Sequence, residues 1–173
     1  MILLITGASH TGKTLLAQRL LERYSIPYLS IDHLKMGLIR SGQTALTPED
    51  DESLKAYLWP IVREIIKTAV ENRQSLIVEG CYVPFDWRRY FEEPYLSPIR
   101  FLCLAMTDAY IDAHICEIKA HASDIEARLD DSYCTVDWLK EENRAVIRGF
   151  SDFGEPVTLI DGDYASIMDS LLG

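Results

Sequence analysis

The chain lacks most of the features that would tie it to a membrane, a metal cluster or an oxidising compartment. Its four cysteines, Cys81, Cys103, Cys116 and Cys134, fall at no C-x-x-C or zinc-ligand spacing. Cys103 lies within the apolar run "FLCLAM" and reads as a small buried hydrophobe. The four histidines share no metal-binding register, and His114 and His121 read as decoration of a helix's polar side. No apolar run approaches the ~20 residues needed to cross a bilayer. The first strand begins at Ile2 without a charged leader or cleavage site, so the expected location is the cytoplasm. Basic residues are also scarce: 17 Lys and Arg against 27 Asp and Glu leave a formal charge of −10. That balance argues against nucleic acid and against anionic membrane surfaces as partners. No repeat, low-complexity tract or linker divides the 173 residues, and 48% apolar composition supplies a core for one domain, 1–173.

What is present begins with "MILLITGASHTGKTLLAQRLL". Ile2–Ile5 is short, apolar and closed by Gly7, as a buried strand would be. From Thr14, the residues Leu15, Leu16, Ala17, Leu20 and Leu21 recur at helical spacing. The loop between them satisfies G-x-x-x-x-G-K-[ST] through Gly7, Gly12, Lys13 and Thr14. Glycines let the backbone curl until successive N–H groups point inward at the positive end of the following helix, a concavity suited to di- and triphosphates. The segment Gly7, Ala8, Ser9, His10, Thr11, Gly12, Lys13 and Thr14 is therefore the candidate nucleotide-phosphate loop. Lys13 would reach the β- and γ-phosphates and the Thr14 hydroxyl would hold Mg²⁺.

Further strands are expected at Tyr28–Ile31, Leu76–Val78, Ile99–Met106 and Val157–Ile160. Helical patterns separate them, the alternation of an α/β fold whose parallel sheet is covered on both faces. Helices are expected at Lys13–Tyr24, His33–Ser41, Val136–Phe150 and Tyr164–Leu171. Another opens with Thr47 as N-cap and Pro48 in its first turn, and Pro60 predicts a kink or break near Leu58–Trp59. In "DAYIDAHICEIKAHASDIEARL" the residues Ile111, Ile115, Ile118, Ala122, Ile125 and Leu129 form one apolar stripe. It would pack on the body or on a second copy, leaving monomer and homodimer both open.

Ligands of open parallel sheets gather at the carboxyl ends of the strands. There the sequence places the glycine loop, Asp32, Glu79, Thr107–Asp108 and Asp161. Asp108 and Asp161 read as helix caps. Asp32 and Glu79 end the strands expected to flank the loop and are the stronger site candidates.

The motifs "ITGASHTGKT", "LSIDHLKMGLIR", "LIVEGCYVP" and "LIDGDY" together resemble the P-loop small-molecule kinases of the nucleoside monophosphate kinase superfamily. The chain is most similar to adenylate-kinase-like proteins and to bacterial proteins assigned as 2-phosphoglycerate kinases. The resemblance spans essentially the whole length. It implies a three-layer fold with five parallel strands in the order 2-3-1-4-5, ATP with Mg²⁺, and a mobile lid near 120–135. It also implies roles for individual residues. Glu79 would orient Mg²⁺ through water, Asp32 would stand by the acceptor, and Lys35 and Arg40 would anchor it, with Arg88 nearby. Arg128 would come from the lid and Arg144 from the helix after it, both toward the transferred phosphoryl group. Arg128 also reads as a solvated charge on a rigid helix. Where adenylate kinases usually read D-G-F-P-R, this chain reads Glu79-Gly80-Cys81-Tyr82-Val83-Pro84, and its nearest arginines are Arg88 and Arg89.

Three functions fit these residues: a kinase acting on a small-molecule hydroxyl, a nucleoside monophosphate kinase, and a nucleotide-binding regulatory module that transfers nothing. The N-K-x-D tetrapeptide of guanine-specific switches is absent. Asp32 favours a hydroxyl acceptor. A carboxylate ~4 Å from an acceptor phosphate costs on the order of 4 kcal/mol at an effective dielectric near 20. Beside a hydroxyl the same group can act as a base, worth ~10²–10⁴-fold. The cations Lys35, Arg40, Arg88 and Arg89 point to an anionic group elsewhere on that small molecule.

Overall fold

The computed structural model describes residues 1–121 and 134–172. Five parallel strands form one sheet in the order β2-β3-β1-β4-β5, as the resemblance implies. They are β1 (Ile2–Gly7), β2 (Tyr28–Ser30), β3 (Leu76–Glu79), β4 (Ile99–Met106) and β5 (Thr158–Ile160). The helices are α1 (Lys13–Tyr24), α2 (Ile31–Arg40), α3 (Asp51–Glu71), the single turn α4 (Glu93–Leu96), α5 (Asp108–Ala120), α6 (Val136–Asp152) and α7 (Tyr164–Leu171). A 3₁₀ turn covers Trp87–Tyr90.

Period-two alternation along β1 sends its side chains to opposite faces, so each face buries its own apolar set. Ile2 and Leu4 pack with Ile31 of α2, Leu58, Val62 and Ile66 of α3, and Trp87. Ile5 packs with Leu16 and Leu20 of α1, Ile111 of α5 and Met168 of α7. Helix α6 joins both layers, giving Leu139 to one core and Phe150 to the other. Phe150 meets Phe85 edge-on at 4.9 Å and Phe101 at 5.3 Å.

Several local expectations need correction. Helix α2 starts at Ile31 and not His33, so Asp32 lies in its first turn instead of ending a strand. Helix α3 starts at Asp51, because "TPED" closes a turn of its own. The Asp50 N–H donates to the Thr47 carbonyl at 3.1 Å, and Asp50 Oδ2 accepts from the Thr47 N–H at 2.7 Å and its hydroxyl at 2.9 Å. Pro60 does not break α3. It is exposed, between buried Trp59 and Val62, so the missing N–H falls on the solvent side while packing holds the inner side. Neither expected aspartate is a cap: Thr107 caps α5 by accepting from the Tyr110 N–H, and Asp163 caps α7 by accepting from the Ser166 N–H. Of the long apolar stripe, Ile111 and Ile118 are buried in α5. Its continuation, with Arg128 and most of the expected lid, lies outside the described residues. No helix among the described residues is long and apolar enough to cross a membrane.

A single buried amide ties α6 to the sheet. Asn143 is fully buried, its Oδ1 accepts from the Met106 N–H at the end of β4 at 2.7 Å, and its Nδ2 donates to the Leu139 carbonyl at 2.7 Å. Asn143→Ala should lower unfolding free energy by about 1–3 kcal/mol, the cost of a buried N–H left unpaired. Chemical denaturation measures it.

Candidate functional site

Strand register brings the site together. Ile5 of β1 lies opposite Glu79 of β3, and Ser30 of β2 opposite the same Glu79. The carboxyl ends of the three strands therefore release Gly7, Asp32 and the segment after Glu79 at one edge of the sheet.

At that edge Gly7 takes φ 135°, and a Cβ there would stand 2.0 Å from the Leu104 carbonyl oxygen. Only glycine lets the chain leave β1 this close to β4. The Ala8 N–H then donates to the Leu104 carbonyl at 3.0 Å. The Ala8 carbonyl is turned inward, accepting from the Thr11 hydroxyl at 2.8 Å and from Lys13 Nζ at 2.5 Å. His10 and Gly12 adopt left-handed backbone, φ 62° and 81°. A Cβ on Gly12 would meet the Tyr164 hydroxyl at 1.8 Å, so α7 closes over this side of the loop. Gly12 is the N-cap of α1, with no side-chain cap and no acidic residue in the first turn. The orphan N–H groups and the positive end of the helix dipole thus face the loop's concavity, an arrangement able to hold an anion.

A carboxylate already bonds this loop. Glu142 of α6 accepts from the Ser9 N–H at 2.9 Å through Oε1 and 3.0 Å through Oε2, and from the Ser9 hydroxyl at 2.9 Å. On the other side, the Thr14 hydroxyl donates to Glu79 Oε2 at 3.2 Å. Glu79 is buried, and its carboxylate with the Thr14 hydroxyl makes an all-oxygen pair of the hard type that Mg²⁺ prefers. Lys13 is buried too. Burial alone would pull its ammonium pKa down. The Glu142 and Glu79 carboxylates reverse the sign and hold it above the ordinary lysine value. Burial pushes the Cys81 thiol pKa up, and Cys81 interacts with Lys13, Asp32 and Glu142, so these groups share one neighbourhood.

The second cluster lies beyond Cys81. Lys35 Nζ pairs with Asp32 Oδ1 at 2.6 Å and donates to the Tyr82 hydroxyl at 3.0 Å, which donates to Asp51 Oδ1 at 3.0 Å. This chain of contacts links the first turns of α2 and α3 to the segment after β3. Despite burial, Asp32 and Tyr82 raise the Lys35 pKa above its ordinary value.

Other expected site residues are placed elsewhere. The Arg144 guanidinium grips Asp108 at the start of α5 through both carboxylate oxygens, bonds exposed to solvent. Arg88 forms a two-pronged pair with buried Glu155 and lies over the Trp87 indole, 4.6 Å from its centroid. Arg40 is the exposed last residue of α2, eight positions after Asp32 and so about 12 Å along the axis. Arg89 pairs with Asp86 at 2.7 Å. Arg128 lies outside the described residues. Conversely, Glu142, Cys81, Tyr82 and Asp51 were missed. Glu142 had a signal: it falls between Leu139 and Val146 at helical spacing, a charge in the inward stripe of α6. Among the described residues no group of three or more His, Cys, Asp or Glu is arranged to hold a metal ion by itself.

Gly7→Ala should cost at least ~1–3 kcal/mol through its left-handed backbone and the 2.0 Å approach to Leu104. Gly37→Ala, inside α2 with nothing within 4 Å of the new Cβ, should instead be stabilising by about 0.5–1 kcal/mol. Thermal and urea denaturation of the two variants distinguish a loop constraint from a general glycine effect.

No protein-family model matches the chain, and none of the curated proteins matches it in sequence. Solved structures do match along nearly its whole length. A protein from Chloroflexus aurantiacus provisionally assigned as a kinase superposes with a TM-score of 0.61 at 20% identity, over 98% of this chain and 95% of its own. A sugar kinase from Janibacter sp. HTCC2649 gives 0.57 at 16% identity over 99% and 91%. Shikimate kinase from Aquifex aeolicus gives 0.51 at 15% identity over 99% and 94%. At these identities the likeness establishes the fold, which is that of the P-loop kinases.

Proposed function

We propose that the chain is an ATP-dependent phosphotransferase, one domain that moves the γ-phosphoryl group of ATP to a hydroxyl of a small molecule. The observation carrying this reading is the loop itself: an uncapped helix end, a buried lysine at its mouth, and Ser9 donors already engaged with an anion. The superposed structures include a sugar kinase and shikimate kinase, which supports it. ATP fits because the cradle offers backbone N–H groups and Lys13 to its phosphates. Mg²⁺ fits because Thr14 and Glu79 supply oxygen ligands, directly or through water. When bound, the metal would neutralise charge developing on the phosphates.

The chain's own residues divide the remaining work. Lys13 leaves the Ala8 carbonyl to hold phosphate oxygens and stabilise charge where it grows. Asp32 accepts the acceptor hydroxyl's proton, and Lys35, in contact with both Asp32 and Tyr82, keeps that carboxylate aimed. The expected requirement for an anionic acceptor weakens. Lys35 is neutralised by Asp32, Arg88 by Glu155 and Arg89 by Asp86, while Arg40 sits at the far end of α2. The proposal keeps the hydroxyl and drops the anionic group. Arg144 would reach the phosphates only by releasing Asp108.

Amide variants separate the carboxylates. Glu79→Gln should raise the Mg²⁺ concentration needed for turnover, with excess metal restoring part of it. Asp32→Asn should leave ATP affinity near normal and lower turnover by about 10²–10⁴-fold. Both are read by ADP release across nucleosides, sugars, hydroxy acids and nucleoside monophosphates. Turnover confined to monophosphates would replace the hydroxyl with a phosphate acceptor. Lys13→Ala should remove turnover and weaken ATP binding with the fold intact, and equal calorimetric affinity in wild type and variant would contradict the loop assignment.

A further inference from the structure

Glu142 meets the loop through both the backbone N–H and the hydroxyl of Ser9, with three contacts of 2.9–3.0 Å. It comes from a distant part of the chain, 133 positions away. It is held in place by its neighbour Asn143, whose buried amide fixes α6 to the end of β4. The first turn of α1 itself supplies neither an acidic residue nor a capping side chain. Lys13 is turned back onto the Ala8 carbonyl and feels the Glu142 charge. The loop is therefore arranged around an internal anion.

We infer that Glu142 competes with the nucleotide for the phosphate loop, holding the Ser9 donors until a polyphosphate displaces it. The inference rests on the reading of the loop as a polyphosphate site. Two anions cannot share the same donors, because their mutual repulsion rises as solvent leaves. The polyphosphate must therefore break the Ser9 bonds before it gains its own. The apparent dissociation constant carries the fraction of molecules in which Glu142 has already left. Displacement turns the Glu142 side chain away from the loop and removes one tie between α6 and the loop, while Asn143 retains its anchor. Glu142 thus sets affinity for the phosphate chain and takes no part in the transfer itself.

Calorimetric titration of the full chain with MgATP, and with inorganic tripolyphosphate as a probe lacking the nucleoside, tests this. Glu142→Ala should bind both about tenfold more tightly, the order expected when charge-assisted hydrogen bonds no longer have to be broken first. Glu142→Gln, which keeps the shape and loses the charge, should move the same way by a smaller factor and covers the case in which alanine disturbs folding. Glu141→Ala makes the same change in net charge on the adjacent exposed residue and should leave affinity unchanged. Hydrogen exchange across 136–152 should quicken when MgATP is added to the wild type, and should already be quick in Glu142→Ala. Unchanged or weaker affinity in both Glu142 variants overturns the inference, as does equal tightening by Glu141→Ala. If neither wild type nor any variant binds either probe, the polyphosphate reading itself fails and the inference falls with it.

Discussion

Backbone N–H groups bent around the end of β1 carry partial positive charge that no side chain of α1 neutralises, and the surrounding residues are arranged about that requirement. Gly7 allows the bend because a Cβ would strike the Leu104 carbonyl. Thr11 and Lys13 converge on the Ala8 carbonyl, which fixes the curvature from inside. The buried lysine then needs carboxylates within reach, and Glu79 and Glu142 stand on either side of the loop. Each feature answers the one before it, beginning with an uncompensated helix end.

The balance of charge at this edge reconciles a strongly acidic chain with the proposed anion site. Asp32, Glu79 and Glu142 all approach Lys13 or Cys81. Three of the cations expected to serve the acceptor, Lys35, Arg88 and Arg89, are paired with carboxylates of the chain itself. Away from the loop, the region thus has little free positive charge with which to hold an anionic molecule. On the proposed reading, a polyphosphate with its divalent cation would bring much of the neutralisation that the protein does not supply.

Legibility in the sequence followed the range of the interactions. The five strands and the loop were readable because they rest on short-range periodicity and on glycine stereochemistry, as at Ile2–Gly7. The strand order came from the resemblance and is the order of the sheet. Ends of helices were misread where a side chain had two local partners. "TPED" looked like a helix start and closes a separate turn, and Asp108 looked like a cap but binds Arg144 while Thr107 caps. The assignments to Arg88 and Arg144 met contacts that no spacing rule contains, since Glu155 lies 67 positions from Arg88 and Asp108 lies 36 from Arg144. Glu142 was visible only as a charge in an inward stripe, and its partner could not be inferred without the fold.

The contact between Gly12 and the Tyr164 hydroxyl joins the glycine loop and α1 to α7. Tyr24 does the same, donating to the Leu172 carbonyl at 2.5 Å. Gly12 and Tyr164 lie far apart in the sequence, so the loop takes its final shape only once the folded sheet has brought α7 against it. Undocking α7 would return the glycine segment to a wider range of backbone conformations.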